Sequence, residues 1–214
     1  MHAYDEMYCP LAQRVMGDMY DFAVNALDRS LSDFHGMFMT CGMAKQFEIG
    51  NPTYVAGKNG CEVAKIVVEK CTGVYPEAED SMELDKSPEY WIGWSLAYYQ
   101  WERGMSFRYI NNSVPIDEMY GMYPTLHEAD ISLYVHQMDS RIMRIDNCSG
   151  KESQLKRLRK YAELSQSQLA ARSGVPLRQI QLFEQGQRDI SKTQLQTAVQ
   201  LARALNCRAE ELLH

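Results

Sequence analysis

Leu164-Ser165-Gln166-Ser167-Gln168-Leu169-Ala170-Ala171-Arg172-Ser173-Gly174-Val175-Pro176-Leu177-Arg178-Gln179-Ile180-Gln181-Leu182-Phe183-Glu184-Gln185-Gly186-Gln187-Arg188 is the stretch that decides how this chain is read. Ser165 or a neighbour caps a helix carrying Leu169 and Ala170, and Ser173-Gly174 ends it. Val175-Pro176 opens the next helix, because proline is tolerated in a first turn where its missing N–H is not needed. Ala170 is small where two helices must cross closely. Gly174 can take the positive φ that a three-residue turn between helices demands. Leu169, Val175, Ile180 and Phe183 are apolar where the pair must pack inward, and Gly186 stops the second helix.

Outward from this pair, Leu155, Leu158 and Ala162 recur at helical spacing and predict a preceding helix ending near Ala162. Leu195, Val199 with Ala198, and Ala202 predict a fourth amphipathic helix, and Ala209 to Leu213 a brief fifth. The constellation of Gln166, Ala170, Gly174, Ile180, Phe183-Glu184 and Gly186 resembles the helix-turn-helix of the Cro/CI-repressor-like (XRE) family over roughly residues 154–213. The resemblance implies a five-helix, lambda-repressor-like domain whose third helix enters the major groove of DNA.

That placement turns Pro176, Leu177, Arg178, Gln181 and Leu182 to solvent. Arg pairs bidentately with guanine, Gln with adenine, and Leu touches a thymine methyl, so Arg178 and Gln181 are the expected readers and Leu177 an apolar contact. The resemblance further implies a phosphate contact by Gln166 at its helix start, and backbone contacts by Arg188, Arg172 and Gln185. It also implies a scaffold pair between Glu184 and Arg159. Pro176 and Leu177 are less polar than is usual at these family positions, which narrows base readout.

Charge divides the chain the same way. The 214 residues carry 22 Lys+Arg and 28 Asp+Glu, for a net charge of −6. From Lys151 to His214 there are eleven basic and six acidic residues, a net of +5, which leaves residues 1–150 at −11. A basic block joined to an acidic one implies two jobs, with nucleic acid the partner of the basic part. Asp146-Asn147-Cys148-Ser149-Gly150 reads as turn or linker chemistry. The expected domains are therefore 1–148 and 149–214.

A hydrophobic fraction of 45% suffices for a globular core and excludes disordered, collagen and coiled-coil rod classes. No apolar run approaches the ~20 residues that span a bilayer, and no basic-then-apolar leader opens the chain. The expectation is a cytoplasmic protein. Its six cysteines form no Cys-x-x-Cys pair, so they read as reduced, mostly buried thiols.

Residues 1–150 show helical periodicity and no convincing strand, which makes the whole chain all-α. Leu11 to Leu27 is one helix. Ser32 caps a second with Phe34, Met37, Phe38, Cys41 and Ala44. Gly50 and Gly60 bracket a loop, and Glu62 to Cys71 is a third helix closed by Gly73. Ser87-Pro88 starts a fourth, with Trp91, Trp94, Tyr98 and Trp101 as its core stripe. Pro115 and Pro124 begin two more, the last carrying Ile131, Tyr134, Met138 and Ile142.

Nothing here has the spacing of a catalytic site. Six residues separate Gly50 from Gly57, and Asn59 stands where a P-loop needs Ser or Thr. His127, Glu128 and His136 lack the spacing of a helical zinc protease. No enzyme activity, metal or cofactor is expected. Tyr90, Trp94 and Tyr99, with the Met-rich stretches, offer more apolar surface than one core stripe buries, which points to a protein partner. The segments 87–101 and 122–132 resemble a domain found ahead of such helix-turn-helix tails, in genes near small toxin-like proteins. The expected function is a DNA-binding repressor, with possible homodimers on a two-fold operator. The alternatives are an antitoxin that autoregulates its operon, or an enzyme domain tethered to DNA.

Overall fold

A computed structural model describes residues 2–80, 86–148, 153–205, 207 and 209–212, with only the backbone for 145–148, 210 and 211. It is all-α. The described residues fall into two compact units, His2–Arg141 and Ile142–His214, divided inside one long helix.

In the first unit, α1 (Cys9–Asn25) is central, packed by α6 (Pro88–Arg103) and α5 (Gly60–Thr72). Sequence-local caps set the ends. Asn59 and Glu62 make a reciprocal capping box at α5, which Gly73 closes in the left-handed region at φ 77°. The Ser87 hydroxyl accepts from the Tyr90 N–H at 3.0 Å to start α6, and Gly104 closes that helix. Around these lie α2 (Leu31–Thr40), α3 (Met43–Glu48), α4 (Pro52–Val55), α7 (Phe107–Ser113), α8 (Ile116–Tyr120), α9 (Tyr123–Leu126) and α10 (Ile131–Cys148).

Glycine sets how closely α1 is approached. A Cβ on Gly93 would lie 2.2 Å from the Met16 carbonyl oxygen, and one on Gly60 would lie 2.5 Å from the Met19 nitrogen. Both neighbours are backbone, so these crossings tolerate no side chain. Several buried polar groups nearby are engaged. Asp21 accepts from Ser87 and Asn25, Asp18 pairs with Lys86 at 3.2 Å, and Tyr20 meets His35 at 2.6 Å between hydroxyl and Nδ1.

Several expectations are corrected. The second segment is capped by Ser30 rather than Ser32, and Gly42 at φ 83° breaks it into α2 and α3. The loop between Gly50 and Gly60 contains α4, and α7 went unread. The segment from Pro124 is interrupted before α10, where Asp130 accepts from the Ser132 N–H at 2.8 Å. The α6 core face is Ile92, Ser95, Leu96, Tyr99 and Gln100, so Trp91, Trp94 and Tyr98 are half-buried flanks. Helix α10 continues through Asp146–Cys148, where linker chemistry was expected, while Ser149 and Gly150 lie outside the described residues. The thiols are less buried than expected, with Cys9 and Cys61 buried, Cys41 and Cys207 intermediate, and Cys71 exposed.

Two predictions follow from this packing. Gly93→Ala should destabilise the protein by about 1–3 kcal/mol through overpacking. Gly36→Ala, whose Cβ meets nothing within 4 Å, should gain ~0.5–1 kcal/mol of helix stability. Urea unfolding of the two variants checks both signs. The second concerns His35, whose burial lowers its pKa to about 4 despite the opposing Asn111 and Asp117. The unfolded imidazole, at its usual value near 6.5, takes up a proton that the folded one refuses. Stability should therefore fall as pH drops from about 6.5 to 4, and His35→Gln should flatten that slope in denaturation curves recorded across the window.

Candidate nucleic-acid interface

The second unit builds its surface from a small core. Leu155, Leu169, Val175, Ile180, Phe183 and Leu201 lead a cluster of buried residues drawn from the helices between Gln154 and Leu212. Helix α11 (Gln154–Tyr161) is capped by Ser153, and α12 (Gln166–Ser173) by a Ser165–Gln168 capping box. Gly174 takes φ 72° between α12 and α13 (Leu177–Glu184), as the three-residue turn requires. Ser173 locks that turn, its hydroxyl donating to the Leu169 carbonyl at 2.7 Å and accepting from the Val175 N–H at 3.2 Å. Gly186, at φ 68°, turns the chain after α13. Helix α14 (Leu195–Leu205) faces the core with Ala198, Leu201, Ala202 and Leu205. This corrects the expected stripe, since Leu195 is 76% exposed. The fifth element is a 3-10 turn over Ala209–Leu212, and Leu213 lies outside the described residues.

One polar cluster ties three helices together. The Arg159 guanidinium grips the Glu184 carboxylate in bidentate fashion, Nε to Oε1 at 2.6 Å and Nη2 to Oε2 at 3.0 Å. The two side chains are 12% and 2% exposed. Arg159 also donates to the Leu164 carbonyl at 2.7 Å, and Gln166 donates its Nε2 to Glu184 Oε2 at 2.7 Å. The scaffold pair between α11 and α13 is therefore present. It further holds the carboxamide of Gln166 at the start of α12, where the first-turn N–H groups of Gln166 and Ser167 have no intrahelical acceptor. Gln166 keeps one side-chain N–H beyond the bond to Glu184.

Pro176, Leu177 and Arg178 are exposed at the start of α13, and Gln181 and Leu182 are half-buried along it. Arg188 and Gln185 are exposed after the helix, with the Arg188 guanidinium 5.9 Å from the Phe183 ring centre. Arg172 is also exposed, but it sits at the far end of α12, about 9 Å along the axis from Gln166. The sequence reading passed over Lys192, 83% exposed on a 3-10 turn (Ile190–Lys192) beyond α13. The signal was Asp189-Ile190-Ser191, whose aspartate accepts from the Ser191 N–H at 2.9 Å.

Residues 155–212 match the helix-turn-helix family. This part of the chain is a helix-turn-helix domain of the Cro/CI (XRE) type. Such a domain implies DNA binding. No curated protein and no solved structure matches the chain, and the family match leaves the N-terminal region unassigned.

In that region, Tyr99 is corrected from a partner-surface residue to a core one. It is fully buried, and its hydroxyl donates to Asp139 at 2.9 Å. Tyr90 and Trp94 are half-buried, with the Tyr90 ring packed over Gly17 and beneath the Lys86 ammonium at 4.1 Å. Among the described residues no cluster of three or more His, Cys, Asp or Glu is arranged to hold a metal, and no helix is long and apolar enough to cross a membrane.

Breaking the helix-turn-helix cluster has a definite expected cost. Glu184→Ala leaves Arg159 buried without its carboxylate and should cost about 3–5 kcal/mol, whereas Glu184→Gln retains an acceptor and should cost less. Thermal melts together with operator affinity check this, since the same change releases Gln166.

Proposed function

We propose that the protein is a sequence-specific DNA-binding repressor whose N-terminal helical unit binds a protein partner. The observation that carries the first half is the Arg159–Glu184–Gln166 cluster, which ties the α12 start to the last residue of α13, the helix whose first residues are exposed. On this reading Arg178 and Gln181 read base edges, and Leu177 touches a thymine methyl. Gln166, Gln185 and Arg188 hold the phosphate backbone, with Arg172 and Lys192 at its margins. A two-fold operator would be bound by a homodimer.

The second half is supported by the way the N-terminal unit uses its ionisable groups. Asp18, Asp21, His35 and Asp139 are each tied to a structural partner, which favours binding over catalysis. Trp94 and Tyr90, both half-buried on α6, are the remaining aromatic anchors from the sequence reading. The antitoxin reading is the special case in which the partner is a toxin, with the tail repressing the shared promoter.

For the DNA half, selection from random duplexes should return one enriched site. Arg178→Ala should then cost roughly 1–3 kcal/mol on that site and relax one base pair. Wild-type log affinity should fall against log salt with a slope of about −0.9 per neutralised phosphate, and a flat slope would overturn the DNA reading. For the partner half, tagged full-length protein should recover one small protein in stoichiometric amount from native-host lysate. Trp94→Ala should reduce that recovery while leaving operator binding intact.

A further inference from the structure

The four cysteines of the N-terminal unit are of two kinds. Cys9 and Cys61 are sealed in the core at 4% and 1% exposure, and burial pushes their thiols up to about 12 and about 11. Such thiols are inert at neutral pH. Cys41 and Cys71 are placed otherwise. They belong to separate helices yet converge on one carbonyl oxygen, that of Met37. Cys41, the C-cap of α2, donates its backbone N–H to it at 2.9 Å. Cys71, from the last turn of α5, donates its thiol to the same oxygen at 3.6 Å. Thr40 Oγ1 lies 4.0 Å from the Cys71 sulfur, and the Cys41 thiol folds back on the Phe38 carbonyl at 3.7 Å. Burial pushes the Cys41 thiol up, a charge on Cys71 adds to this, and Lys70 opposes it. Of the two thiols, Cys71 is exposed and Cys41 is half-buried.

We propose that Cys41 and Cys71 form a modification site at which a hydroperoxide closes an intramolecular disulfide between the ends of α2 and α5. The exposure difference divides the labour. The Cys71 thiolate attacks the terminal peroxide oxygen, the O–O bond breaks, and the remaining fragment leaves as water or an alcohol after taking a proton. Cys71 is left as a sulfenic acid. The Cys41 sulfur then attacks the Cys71 sulfur, the S–O bond breaks, and water leaves with the Cys41 proton. Two thiols lose two electrons and two protons, and the peroxide is the two-electron acceptor. Cys41, screened by burial, meets peroxide poorly itself and suits the resolving role. Gly42 and Gly73, one and two residues past these cysteines, have positive φ, so each cysteine sits where its helix ends.

The experiment uses full-length protein and hydrogen peroxide, read by intact mass and non-reducing peptide mapping. The expected result is a loss of about 2 Da, with Cys41 and Cys71 joined in one peptide pair. Cys71→Ser should abolish that loss. Cys41→Ser should leave the Cys71 sulfenic acid unresolved, so that dimedone captures roughly tenfold more of it than in the wild type. Because serine is nearly isosteric at both positions, unchanged melting in reducing buffer accompanies these outcomes. A pairing with any other cysteine, an intermolecular cross-link through Cys71 in the wild type, or equal dimedone capture with and without Cys41 would overturn the proposal.

Discussion

The helix-turn-helix unit depends on one buried ion pair. Removing Arg159 and Glu184 from water is costly, and the cost is offset only because both carboxylate oxygens and most guanidinium donors find partners. A well-packed apolar pair of similar volume would stabilise the unit as well or better. What the ions contribute instead is direction. A carboxylate held by a planar fork accepts a third hydrogen bond at a defined place, and the donor there is Gln166. The cluster therefore joins the packing of α11 against α13 to the orientation of a side chain at the start of α12. Three hydrogen bonds from two residues converge on that one carboxylate.

A different constraint organises the N-terminal unit. Helix α1 is approached so closely by α6 and α5 that Gly93 and Gly60 meet its backbone. Close approach brings more dispersion contact per turn and leaves little depth for water. Polar groups on α1 must then find partners from neighbouring elements, and Asp18, Asp21 and Tyr20 do so through Lys86, Ser87 and His35. The same geometry withdraws Tyr99 from the surface, since it lies on the α6 face that closes on the core.

Much of the architecture was legible because its signals are local. Caps at Asn59, Ser87 and Ser165, and left-handed glycines at Gly73, Gly104 and Gly174, act within one helical turn of the residues they stop or start. The Arg159–Glu184 pair was legible for another reason, as a resemblance to a family supplied the partner that spacing alone does not. The misreadings share a cause. Trp91, Trp94, Tyr98 and Leu195 are large apolar residues at helical spacing, and periodicity marks a stripe without saying which flank of it the neighbouring helix covers. Glycine at 93 and serine at 95 look like weak core positions, yet the close crossing makes the small residues central and leaves Trp91 and Trp94 at the rim.

By itself, then, the sequence determined that the chain is all-α, where most helices start and stop, and that a basic helix-turn-helix follows an acidic region. Those properties rest on backbone capping, periodicity and net charge, which act at short range or as sums. Only the tertiary structure decided that Gln166 leans on Glu184, that Tyr99 is core, and that Cys41 and Cys71 share the Met37 carbonyl. Each of these is a contact between segments distant in sequence. Such contacts are set by the depth at which helices cross, and that depth depends on the side chains of two elements at once.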